Sequence, residues 1–245
     1  MKYILLAITF LLLPLLLVRA NSLPDRDSDG VSDFDEINIY HTNPDNADTD
    51  GDSYSDFEEL NNGFSPHNSQ PVTLLENDFD KDGLSDDLEL RFKTDMTNQD
   101  SDGDGYSDGD EVANGYDPAK NNRATLTKRI EVDTDNQELG YFLGDVRLGK
   151  FIVSSGINHS TPIGTFTISN KSPKAWSPYG LWMPYWLGMG NGKYGLHELP
   201  IWPNGYREGE DHLGTPVSHG CVRLGTDNAE ALYSWTPVGT SVVIY

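Results

Sequence analysis

The sequence predicts two unlike units: an N-terminal array of acidic loops with short helices, then a β-rich domain of mixed sandwich type with one short helix. Three observations carry this. Acidic residues crowd between Asp25 and Asp117 and thin out afterwards. One frame of alternating aspartates recurs four times in that stretch. From Thr125 onward, short β-branched or alternating runs are broken by Gly, Pro, Asn and Asp.

In chain order, residues 1–20 read as a secretory signal. Lys2 supplies a positive start, Tyr3 to Val18 is nearly all apolar, and Val18-Arg19-Ala20 offers a small-residue cleavage site. An uncleaved membrane tether is the rival. The run falls slightly short of the roughly 20 residues a span needs, and Pro14 interrupts it. The expected location is therefore exported: periplasm, cell wall or extracellular. Seventeen Lys and Arg against 39 Asp and Glu give a formal net charge of -22. A chain this acidic repels nucleic acid and anionic lipid, which excludes both as expected partners.

Residues 25–118 hold the repeats. Asp25, Asp27, Asp29, Asp33 and Glu36 occupy loop positions 1, 3, 5, 9 and 12, with Gly30 at position 6. The frame returns as Asp78, Asp80, Asp82, Asp86 and Glu89 around Gly83, and as Asp100, Asp102, Asp104, Asp108 and Glu111 around Gly105. The copy Asp48, Asp50, Asp52, Asp56 and Glu59 has Ser53 at position 6, where a sharp turn with positive φ favours glycine, so strain is expected there. The loops form two pairs offset by roughly 53 residues. Alternate carboxylates pointing inward, a backbone carbonyl and a distal Glu make the hard oxygen shell that Ca2+ prefers, while Mg2+ seldom uses an all-protein cage. The loops resemble the EF-hand loop and, more closely, the calcium-binding repeats of bacterial thrombospondin type 3 kind. Few apolar residues accompany this acid, so the region is expected to unfold without Ca2+. Either a stiff stalk or a wall-binding module fits such an array, and the lack of an aromatic cluster or basic patch favours the stalk.

Residues 119–125 read as a linker and 126–245 as the second domain. Strands are expected around Arg129–Val132, Gly140–Leu143, Lys150–Val153, Thr165–Ile168 and the C-terminus. The expected helix runs from Asp227 to Trp235, capped by Thr226 or Asp227. Within this domain lies the lone cysteine of the chain, in Ser218-His219-Gly220-Cys221-Val222-Arg223. A thiol among polar, positive neighbours is expected to ionise readily and act as a nucleophile.

The Ser-His-Gly-Cys run with an apolar residue and Arg after it, and His197 upstream, resembles the signature of the L,D-transpeptidase catalytic domain. Ile130-Glu131-Val132-Asp133 with Gln137-Glu138-Leu139, Ser154-Ser155-Gly156 and Thr161 to Phe166 extend the likeness, as do Met183 to Trp186 and Val238 to Ile244. The resemblance implies a mixed β fold with a cysteine beside a groove, and acyl transfer on peptidoglycan stem peptides with no catalytic cofactor. Cys221 would attack the stem carbonyl before a terminal D-Ala, and an amine would resolve the thioester into a 3→3 cross-link. With water as acceptor, the same site is an L,D-carboxypeptidase. A calcium-dependent wall-binding or adhesion protein is the alternative of another class. His197 is the expected base, with His219 the alternative; Gly220 and Cys221 N–H groups with His219 are the expected oxyanion site. Arg223 either serves the thiolate or a substrate carboxylate, or closes an internal salt bridge. Glu198 either orients His197 or is structural. His212, in the charged insertion Arg207 to Asp211, is expected to be solvated, and the gap from His197 to Ser218 is longer than usual for the family. Trp176, Trp182, Tyr185, Trp186 and Tyr194 read as core or as a lid over a peptide.

Overall fold

A computed structural model describes residues 23–245; the predicted signal segment, residues 1–20, lies outside the described residues. Among the described residues no helix is long and apolar enough to cross a membrane. Each acidic loop leads into a short helix: α1 (Asp33–Asp35, continued by a π turn Glu36–Tyr40), α2 (Asp56–Asn62), α3 (Asp86–Phe92) and α4 (Asp108–Asn114). A serine stands at each N-cap, and Ser32, Ser55 and Ser107 accept the backbone N–H three residues on. That satisfies one of the orphan donors of the first turn and lets helices this short persist beside a loop. The expected strain is present: Ser53 holds φ +85°, beside +98° for Gly83 and +96° for Gly105.

The two loop pairs close alike. A β-bridge joins Phe64 to Thr73 in the first and Tyr116 to Thr125 in the second. The stretch read as a linker is thus pinned, with Asp117 N–H donating to Ala124 and Leu126 N–H to Gly115.

The β domain departs from the predicted sandwich by closing into a barrel. Its strands are β1 (Lys128–Asp133), β2 (Glu138–Leu143), β3 (Val146–Ser154), β4 (Gly164–Trp176), β5 (Trp182–Met189), β6 (Tyr194–Glu198), β7 (Val222–Leu224) and β8 (Ser241–Ile244). Around the barrel they run β1-β2-β3-β7-β6-β5-β4-β8. Two sheets exist, but the long strands β3 and β4 belong to both. Residues 164–167 of β4 pair with β8, and residues from Ile168 on pair with β5. Strand β3 passes from β2 to β7 at Val153. Sharing strands at both seams removes the free edges a sandwich would leave. Pairing is antiparallel except for β1 with β8 and β6 with β7, which are parallel. The interior is filled by Ile130, Val132, Leu139, Val153, Leu196, Val222 and Leu224 among others.

Helix α5 (Thr226–Trp235) starts at a Gly225 N-cap with no side-chain cap. The predicted cap Thr226 is occupied elsewhere: its hydroxyl accepts from Arg207 and reaches toward the Glu198 carboxylate.

The repeats also have more core than their composition suggests, because they borrow it. Leu84, Phe92 and Val112 bury themselves with Leu143 of the barrel, flanked by Leu126, Val146 and Leu148. Arg91 Nη1 donates to the Arg147 carbonyl at the same junction.

Candidate active site and acidic loops

Strand alternation assembles the candidate active site. In the parallel pair β6/β7, Leu196 lies beside Val222 and His197 beside Arg223. Leu196, Val222 and Leu224 point into the core, so Cys221, Arg223 and His197 share the opposite face. That face floors a cavity of about 210 Å³, walled by Trp186, Tyr194, Leu181, Tyr179 and His219 as well. The cavity gathers Ser218, His219, Cys221, His197 and Arg223.

The turn carrying the cysteine is tightly built. Ser218 Oγ accepts the Gly220 N–H at 3.0 Å and donates to the Cys221 carbonyl at 2.5 Å. Gly220 has φ +127°, and a Cβ there would sit 2.4 Å from the Tyr194 ring. No side chain fits, which explains the glycine. Because its N–H is held by Ser218, Gly220 does not supply the oxyanion donor expected from the sequence. Behind the turn, Ser218 N–H donates to the Ser155 carbonyl. The Gln137 amide in turn clasps Ser155 through both its N–H and its hydroxyl. The family-like blocks around Gln137 and Ser155 therefore act as the support of the cysteine turn.

His197 is buried, with Nδ1 2.5 Å from the Glu198 carbonyl oxygen. A carbonyl only accepts, so Nδ1 carries the proton and Nε2 keeps its lone pair. Its ring stacks near Trp186 at 5.9 Å. Burial, with the Arg223 charge adding to it, lowers the imidazole to about 4, against the Glu198 hydrogen bond. His219, by contrast, is exposed and stacks on Tyr179 at 4.2 Å. Glu198 orients His197 through its backbone; its carboxylate points to the other face and pairs with Arg207 at 3.0 Å.

The thiol is not the readily ionised group the motif suggested. Burial pushes Cys221 above the ordinary thiol range, outweighing a backbone hydrogen bond from Gly195 and the Arg223 charge, which pull it down. Arg223 is itself buried and makes an internal salt bridge, Nη1 to Glu208 Oε2 at 2.6 Å. Its Nε has no hydrogen-bond partner among the described residues. Glu208 also holds His212 Nδ1 at 3.1 Å, so His212 is tied into this network rather than solvated. Sequence reasoning missed Glu208 because an insertion rich in charge and glycine reads as solvent-facing. Of the aromatics, Trp186 and Tyr194 wall the cavity, while Trp176 and Trp182 meet edge-on at 4.7 Å on the β4–β5 hairpin beside it.

In the acidic loops, positions 1, 3 and 5 converge as Asp25–Asp27–Asp29, Asp48–Asp50–Asp52, Asp78–Asp80–Asp82 and Asp100–Asp102–Asp104, ligand oxygens within 4.8 Å. Position 9 does not join them. Asp33, Asp56, Asp86 and Asp108 accept the backbone N–H of loop position 2 (Arg26, Thr49, Phe79, Ser101), and each takes a side-chain donor as well. As the first helical residue, each is turned back to staple the loop closed. The position-12 residues Glu36, Glu59, Glu89 and Glu111 are buried, with orphaned carboxylate oxygens, as are the position-3 oxygens in every loop. Burial and neighbouring aspartates push Glu59 to about 8 and Glu89 to about 9. Buried, unpaired carboxyl groups whose charged form is disfavoured in this way fit a divalent cation.

The L,D-transpeptidase catalytic domain pattern matches residues 127–244, and the bacterial TSP3 repeat matches residues 25–47 and 100–121. The YkuD protein of Bacillus licheniformis is 30% identical over 128 residues, 52% of this chain and 71% of that protein. The Bacillus subtilis YkuD protein is 32% identical over 121 residues, 49% of this chain and 67% of that protein. The chain belongs to the L,D-transpeptidase catalytic domain family and carries bacterial TSP3 repeats ahead of that domain. Among solved structures, an L,D-transpeptidase from Mycobacterium smegmatis is 24% identical with a TM-score of 0.43, covering 50% of this chain and 60% of that one. One from Stackebrandtia nassauensis is 30% identical with a TM-score of 0.41, covering 50% and 57%. The chain thus spans less than two thirds of the solved chains it matches.

Proposed function

We propose that this protein is an exported L,D-transpeptidase that forms 3→3 peptidoglycan cross-links through a Cys221 thioester. The observation that carries the reading is the buried His197, its Nδ1 proton held by the Glu198 carbonyl, sharing one cavity with Cys221. The Cys221 thiol attacks the stem-peptide carbonyl as Nε2 of His197 takes its proton. The developing oxyanion is met by the Cys221 N–H and His219, the members of the expected set not held in the turn. The imidazolium then protonates the departing amine of D-Ala, and a second amine takes the acyl group from sulfur. Arg223, held by Glu208, lends its charge to the sulfur.

The acidic loops are proposed to hold Ca2+ through positions 1, 3, 5 and 12, with the position-7 carbonyl. The position-9 aspartates serve as staples. When bound, calcium would neutralise the buried carboxylates and stiffen the array as a stalk. Incubating the enzyme with disaccharide-tetrapeptide and resolving the muropeptides tests the catalytic reading. Cross-linked dimer with wild type and none with Cys221→Ala supports it; tripeptide alone makes the enzyme a carboxypeptidase; conversion by Cys221→Ala refutes the cysteine mechanism.

A further inference from the structure

The two loop pairs are near copies displaced by about 52 residues, and a difference between them exposes a site. In the second copy the Arg123 guanidinium lies over the rings of both Tyr106 and Tyr116, 4.4 Å from each centroid. In the first copy the matching rings are Tyr54 and Phe64, and Pro71 stands where Arg123 would be. The flanking backbone bonds are the same: the bridge Phe64–Thr73 repeats as Tyr116–Thr125, and Leu74 N–H to Gly63 repeats as Leu126 N–H to Gly115. Arg123 reaches its rings from a turn with φ +51°. Proline's ring fixes φ near -65° and carries no side chain that could follow. The first copy accordingly holds a cavity of about 470 Å³ between Tyr54, Phe64, Asn62 and Pro71, lined also by Glu58 and, on the side of the second acidic loop, by its position-5 and position-12 carboxylates Asp52 and Glu59.

We propose that this cleft is a binding site for an arginine side chain presented by a basic partner protein. The chain's own second copy shows what the frame accepts: a planar, weakly hydrated guanidinium lying over two aromatic rings. In the first copy the rings remain and the carboxylate Glu58 replaces Asp110, so the site keeps its complementarity to a cation. Among the described residues, none fills it as Arg123 fills its twin. A net charge of -22 also steers basic surfaces toward the molecule.

The test is a titration of the full chain, in millimolar calcium, with acetyl-Gly-Arg-Gly-amide, followed by NMR of the tyrosine ring signals. One saturable site is expected, with the citrulline and lysine counterparts binding more weakly. Tyr54→Ala should weaken it by about threefold to tenfold. Pro71→Arg should supply the internal occupant and abolish binding, whereas Arg123→Ala should open the twin cleft and raise the stoichiometry from one to two. Absence of saturable binding, equal binding of the citrulline or lysine peptide, or binding unchanged in both Tyr54→Ala and Pro71→Arg would overturn the proposal.

Discussion

The resting protonation of the Cys221–His197 pair can be tested by titrating thiol alkylation. Burial disfavours whichever form is charged: thiolate for cysteine, imidazolium for histidine. Cys221 is accordingly pushed up and His197 pushed down to about 4, so both shifts favour a neutral thiol beside a neutral imidazole. An ordinary thiol near 8.5 is about 3% thiolate at pH 7, and Cys221 holds less. Iodoacetamide reacts with the thiolate, so its rate constant should climb about tenfold per pH unit, roughly 100-fold from pH 6 to pH 8. A preformed thiolate–imidazolium pair would instead react at a nearly constant rate across that window. His197→Gln should leave alkylation almost unchanged, because the base is not needed until substrate is attacked. The same variant should slow acylation by tetrapeptide by on the order of 10²–10⁴. Stopped-flow alkylation from pH 5.5 to 9 on both proteins decides it. A flat wild-type profile between pH 6 and 8, lost in His197→Gln, would refute the neutral pair.

Ser53→Gly should relieve the left-handed strain at φ +85° and stabilise the second loop by about 1 kcal/mol, read as a rise in the calcium-loaded melting temperature. His197 also makes the barrel acid-sensitive. Its folded value of about 4 lies below the ordinary 6.5, so stability is full above pH 6.5 and falls by up to about 3 kcal/mol as pH drops to 4; urea melts at pH 7 and pH 4.5 measure it, and a His197→Gln variant should lose part of the slope. Chelating calcium should make residues 25–118 protease-sensitive. It should also increase binding of a hydrophobic dye, because Leu84, Phe92 and Val112 would leave Leu143 uncovered. Leu143→Ala, which truncates a fully buried side chain, should cost about 2–5 kcal/mol and weaken the repeat–barrel junction even with calcium present, detectable by limited proteolysis.

Much of this molecule was decided by local sequence. The alternating aspartates with a positive-φ residue at position 6 set each acidic loop, because side-chain direction there follows directly from residue spacing. Ser218, Gly220 and Cys221 define a turn whose hydrogen bonds span only three residues, so it too is legible from the chain. What required the fold depends on residues far apart. Barrel closure needs β1 beside β8 and the long strands β3 and β4 shared between sheets, pairings that local hydrophobic pattern cannot distinguish from a sandwich. The position-9 aspartates look like ligands on spacing alone, yet the first helical turn points them back at the loop's second N–H. Glu208 reads as a solvent charge until the chain folds it onto Arg223, and the ionisation of Cys221 and His197 follows the depth of the cavity rather than the charges of their sequence neighbours. Burial is a property of the assembled structure, and here burial decides which groups carry charge.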